Sequence, residues 1–153
     1  AVLAHKLLTG LRFDHATRVA VVRLVEYHDR PLGPDPARLR RRLHRLGEMP
    51  VRQLLMLKKA DCVGQGTHRE HIAGLWETQA LLEQVLAERH CFTLRQLAVN
   101  GHDLKALGLR GPQVGETLHA LLRHVLESPG DNQKEHLLAL ARQMRDGNED
   151  NRP

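Results

Sequence analysis

Aromatic residues are scarce in this 153-residue chain: one Trp, one Tyr and two Phe. Leu and Ala dominate instead, and few segments alternate as strands do, so the composition points away from sheet and towards helix. No apolar run approaches the roughly 20 residues that cross a bilayer, which argues against a membrane protein. Ala1 opens inside a helical pattern, AVLAHKLL, with no initiator Met, no signal-peptide h-region and no cleavage site. The only two cysteines, Cys62 and Cys91, have no C-x-x-C partner. Both are expected to be thiols in a reducing cytoplasm. Ser128 is the single serine and sits in the turn Ser128-Pro129-Gly130. Cys62 is next to Asp61, whose carboxylate opposes thiolate formation. No nucleophile–base constellation follows, and no catalytic residue is assigned.

Positive charge is plentiful, and it is uneven. Residues 1–70 hold 14 Lys/Arg against 7 Asp/Glu, while residues 71–153 hold 9 against 11. A basic half suggests a polyanionic partner, because each neutralised phosphate releases counterions. The densest run is RLRRRLHRLG. On a helix Leu39, Leu43 and Leu46 form one stripe, and Arg38, Arg42 and Arg45 form a parallel one, with Arg41 beside them. The leucines are expected to be buried and the arginines presented, either as an ordinary solvated face or as a nucleic-acid contact.

Periodicity and breakers give an all-α chain of about eight helices in one or two small lobes. The first covers about Ala1 to Thr9. Asp14 caps the next, which carries Val19, Val22 and Val25 on one side and ends near His28. The loop RPLGPDP leads to Asp35-Pro36, a good start signal, and that helix stops at Gly47. Further helices run from Pro50 to about Val63 and from about His68 to His90. Thr93 and Asn100 cap two short helices, and Pro112 and Asp131 begin the last two. The expected organisation is a helical body with the basic patch over 1–90, a C-terminal helical lobe over 91–146, and a disordered polar tail over 147–153.

The stretch Cys91–Leu126 is the most distinctive. Its long helix begins through Gly111-Pro112-Gln113-Val114-Gly115. Pro suits a first helical position, and the first-turn amides of a helix, at the positive end of its dipole, suit a phosphate. The two glycines allow close approach, and Arg110 adds charge. The same pattern is equally a tight connection between two packed helices.

VNGHDLKALGLRGPQVGETLHALLRHVLES, followed by Asn132 and Leu137-Leu138-Ala139-Leu140-Ala141, resembles the C-terminal region of bacterial CCA-adding enzymes. These are tRNA nucleotidyltransferases, related to bacterial poly(A) polymerases. LRFDHATRVAVVRLVEYHD, with LRRRLHRLGEMPVRQLLMLKKADCVGQG after it, resembles their middle region. The likeness runs from about Leu11 to Arg142 in the family's order. It implies a tRNA-binding body and tail, which favours RNA contact for the residues singled out by charge and by the helix entry: Arg38, Arg41, Arg42, Arg45, Arg110, Gly111, Gln113 and Gly115. The family's catalytic head carries a Gly-Ser pair and a metal-binding Asp-x-Asp, and neither occurs here. The chain is therefore expected to be a fragment that adds no nucleotides itself. Its parent would use Mg²⁺ with CTP and ATP, while the fragment needs no cofactor and takes tRNA, with no small molecule and no membrane, as its partner.

Eleven histidines invite metal readings. His28-Asp29 and Asp61 look like part of the ligand set of an HD-type metal-dependent phosphohydrolase, the alternative function. The earlier His and His-Asp doublet of that fold are missing: His5 and His15 are the only upstream histidines, and neither precedes an Asp. His68 and His71 are three apart on a helix without an evident third ligand. His119 and His124 are five apart, on different faces. No metal site is assigned.

Overall fold

Short polar side chains decide where the helices begin. A computed structural model of the chain describes residues 1–66 and 69–149, and among these it is all-α, with eight α-helices, two 3-10 turns and no strand. The chain divides into two compact units, residues 1–87 and residue 88 onwards.

In the first unit α1 covers Val2–Gly10, α2 His15–Tyr27, α3 Pro36–Leu46, α4 Glu48–Gly64 and α5 Arg69–Ala87. Asp14 caps α2 by accepting from the Thr17 N–H at 2.9 Å. Asp35 does the same for α3, from the Arg38 N–H at 3.0 Å. Each cap satisfies an amide that the first turn leaves unpaired, worth about 1 kcal/mol. α4 starts directly at Glu48, two residues before the Pro50 start read from the sequence. α3 packs on α4 and α5, and α2 on α1 and α4. Leu39, Leu43, Leu46, Val51, Leu54, Leu82 and Val85 are buried. Arg52 joins α4 to α5 with a two-pronged bond to Glu83, at 2.5 and 2.9 Å, and reaches Glu48 at 2.8 Å within its own helix. Of the valines expected on one side of α2, Val19 and Val25 remain exposed; Tyr27 is the residue of that helix that is buried.

In the second unit a 3-10 turn, Leu94–Gln96, precedes α6 (Gly101–Ala106), α7 (Pro112–Glu127), a second 3-10 turn (Pro129–Asp131) and α8 (Lys134–Glu149). Thr93 thus opens a single 3-10 turn in place of a helix, and Asp131 ends the second turn three residues before α8. α8 continues through Gly147 to Glu149, into the segment expected to lack structure; residues 150–153 lie outside the described residues. One continuous core holds Cys91, Leu97, Val99, Leu104, Leu109, Leu121, Leu122, Val125, Leu126, Leu137 and Ala141. Neither cysteine is in a disulfide, and burial raises the pKa of the Cys91 thiol. None of the described helices is long and apolar enough to cross a membrane.

Polar ties complete this unit. Asn100 and Asp103 form a capping box at α6. Lys134 pairs with Asp103 at 2.6 Å. Asn132 accepts from the Ala98 N–H at 2.9 Å and donates to the Gln96 carbonyl at 3.0 Å. Arg145 donates to the Leu107 carbonyl at 2.6 Å, at the end of α6.

Candidate nucleic-acid interface

The rotation of α3 is set by its leucines. Burying Leu39, Leu43 and Leu46 contributes roughly 1.5–3 kcal/mol each, whereas the exposed Arg38–Asp35 pair at 3.7 Å is worth at most about 1 kcal/mol. The leucines win, and Arg38, Arg41 and Arg45 stay exposed.

The other two arginines of the run do not join them. Arg40 is 6 % exposed, a buried cation that the stripe pattern did not single out. Arg42 is half-buried, with its guanidinium 5.3 Å from the Tyr27 ring centroid and Nη2 donating to the Pro31 carbonyl at 3.4 Å. Arg30 lies over the same ring at 4.3 Å. Burial, and then the neighbouring Arg30, lower the Arg42 pKa from its ordinary value. Arg42 is thus committed first to fixing the 27–31 corner, and the parallel stripe read from the sequence is interrupted at its centre. Nothing in the run itself signalled this, because Tyr27 lies on another helix.

All of the formal net charge resides in the first unit: residues 1–87 carry 14 Lys/Arg against 9 Asp/Glu, and the remainder 9 against 9. Beside α3 an open cleft of about 740 Å³ is lined by His28, Asp29, Arg38, Lys58, Asp61 and Leu75, with the 31–34 loop. Its two cations face two carboxylates, so it has no strong preference for either sign of ligand.

That cleft contains the residues of the phosphohydrolase reading, and they are spoken for. The His28 ring nitrogens meet the Val25 carbonyl at 2.7 Å and the Asp29 carboxylate at 3.1 Å. Asp61 accepts from the Gln65 amide at 2.8 Å. His28, Asp29 and Asp61 do not converge as a ligand set among the described residues. They do not make up the ligand set that an HD-type metal site requires. The His68–His71 pairing falls outside the described residues.

In the second unit the start of α7 has a definite geometry. Gly111 adopts φ +53°, a left-handed value that a side chain resists, so this position requires glycine for conformation alone. Arg110 is exposed, and its N–H donates to the Gln113 side-chain oxygen at 3.3 Å. The Gln113 and Val114 N–H groups close the turn onto the Arg110 and Gly111 carbonyls at 3.2 and 3.3 Å. These two first-turn amides are thereby engaged within the chain. Gly115 differs. It is exposed, has no left-handed φ, and a methyl group built on it would meet nothing within 4 Å.

Most of the distinctive residues of this stretch are structural. Asn100 and Asp103 cap, Leu104, Leu121, Leu122, Val125 and Leu126 fill the core, and Asn132 bridges. Gly115 is helical and borders open space where a side chain would begin.

Among known families, the sequence model of tRNA nucleotidyltransferase domain 2 matches residues 2–141. No curated protein sequence and no solved structure matches the chain.

Proposed function

The chain belongs to the tRNA nucleotidyltransferase domain 2 family, and on that premise we propose that it is the tRNA-binding portion of a CCA-adding nucleotidyltransferase. It holds the tRNA body and acceptor stem while a catalytic head outside these residues extends the 3′ end, using Mg²⁺ with CTP and ATP. The contribution of this portion is to position the end that reacts.

The observation that carries this reading is the packing of α3. Three leucines bury one side of that helix and thereby present Arg38, Arg41 and Arg45 from the unit that holds the whole net charge of +5. An A-form stem is held largely through phosphates and 2′-hydroxyls, and guanidinium groups on a rigid helix suit that task. Arg42 supports the surface by packing on Tyr27. A second RNA contact lies at the start of α7, where Arg110 supplies charge, Gly111 and Gln113 shape the turn, and Gly115 leaves space for a phosphate to approach.

The test is tRNA binding by fluorescence anisotropy across a salt series. Replacing Arg38, Arg41 and Arg45 together by Ala should weaken binding several-fold. It should also reduce the slope of log K against log salt by up to about 2–3, at roughly 0.7–0.9 per lost phosphate contact. Ala is a strong helix former, so α3 should remain folded. Unchanged affinity and slope would return the cluster to an ordinary solvated face.

A further inference from the structure

The corner between α7 and α8 gathers three ligand-type side chains that the histidine pattern of the sequence did not bring together. His124 lies in the last turn of α7, Asp131 ends the second 3-10 turn, and His136 lies in the first turn of α8. His124 Nε2 is 2.7 Å from Asp131 Oδ2, and His136 Nε2 is 3.7 Å from the same oxygen. The two imidazoles are stacked, with centroids 6.1 Å apart and planes at 23°. One donor atom from each of the three residues lies within 4.8 Å of the other two.

We propose that His124, Asp131 and His136 form a binding site for a divalent ion of the Zn²⁺ class. With bonds of about 2.0–2.1 Å, two donors on a tetrahedral ion are roughly 3.3 Å apart. The observed 2.7 and 3.7 Å lie on either side of that value, and small torsional changes of half-exposed side chains bridge the difference. Two imidazoles and one carboxylate suit Zn²⁺, Co²⁺ or Ni²⁺. Mg²⁺ and Ca²⁺ prefer oxygen donors throughout and suit it less well.

The backbone beneath the site is held by turn hydrogen bonds. Asp131 N–H donates to the Ser128 carbonyl at 3.1 Å, Asn132 N–H to Pro129 at 3.3 Å, and the Gln133 side chain to Gly130 at 3.3 Å. Three protein donors leave a fourth position for water or an external ligand. An ion here would clamp the end of α7 to the start of α8.

The test uses the whole chain without a histidine tag, stripped with a chelator and then titrated with Co²⁺, followed by Zn²⁺ competition. The expected result is one Co²⁺ per chain with a visible d–d spectrum, displaced by Zn²⁺, and a raised midpoint of thermal unfolding when the ion is bound. His136→Ala and His124→Ala should each weaken binding at least tenfold, while His119→Ala should leave it unchanged. Failure to bind one ion per chain overturns the proposal and leaves the cluster an ion pair. Unchanged affinity in His136→Ala does so as well, and since that side chain is 48 % exposed, this variant decides should His124→Ala fail to fold.

Discussion

Replacing Gly115 by Ala separates what the second unit needs for folding from what it offers to RNA. Gly115 is the fourth residue of α7, counted from Pro112. An interior helical glycine costs up to about 1 kcal/mol relative to alanine. The added methyl group would enter open space and meet no atom within 4 Å, so no packing penalty offsets the gain. For a unit of this size 1 kcal/mol corresponds to roughly 4–8 °C in Tm. Circular dichroism on Gly115→Ala should therefore show an unfolding midpoint raised by a few degrees. Anisotropy should show tRNA affinity falling several-fold, because the space left for a phosphate is filled. A lowered Tm would refute the open-space argument. Unchanged affinity in a stabilised protein would refute the phosphate contact while leaving the arginines of α3 untouched. Gly111→Ala is the contrasting control: at φ +53° it should lose stability by about 1 kcal/mol whatever happens to binding.

Other consequences are equally open to measurement. Asn132→Ala strips partners from the Ala98 amide and the Gln96 carbonyl, so urea unfolding should show a loss of about 1–3 kcal/mol. Arg42→Ala should lose about 0.5–1 kcal/mol through its contact with Tyr27, whereas Arg38→Ala should stay within about 0.5 kcal/mol of the parent. The Asp103 carboxyl is held below its ordinary pKa of 3.8, first by Lys134 and then by the Asn100 N–H. Its contribution is complete above that ordinary value and is lost as pH falls through the lowered one. Asp103→Asn should therefore flatten the acid limb of a stability profile, read by thermal unfolding between about pH 5 and 2. Incubated with tRNA, CTP, ATP and Mg²⁺, the chain should add no nucleotide, and incorporation would overturn its assignment as a positioning module.

Local chemistry made most helix boundaries legible. Asp14, Asp35, Asn100 and Pro112 each mark a start that the structure keeps, because a cap depends on its own neighbours within three or four residues. The leucine side of α3 was legible for the same reason. What escaped the sequence depends on distant partners. Arg42 resembles Arg38 in the run, yet Tyr27 withdraws it from the exposed face. His124 looks isolated until the Ser128–Asp131 turn brings Asp131 and His136 to it. The short amphipathic stretch after Thr93 closes only one 3-10 turn, since Leu97 already leaves helical geometry with ψ 142°. Ahead of α8, Asp131 carries a start signal, but the chain spends it on a turn and begins the helix at Lys134.

The ties made by Asn132, Lys134 and Arg145 give the second unit a direction in time. Each reaches back to a partner made 31 to 38 residues earlier: Gln96 and Ala98, Asp103, and Leu107. On a ribosome moving at about 5–20 residues per second, those partners wait roughly two to eight seconds for the side chains that complete them. Until then the Ala98 amide and the Gln96 and Leu107 carbonyls must bond to water. The turn before α6 and the end of that helix are therefore completed only by residues made later, and a released chain that stops before Asn132 would leave them open to water.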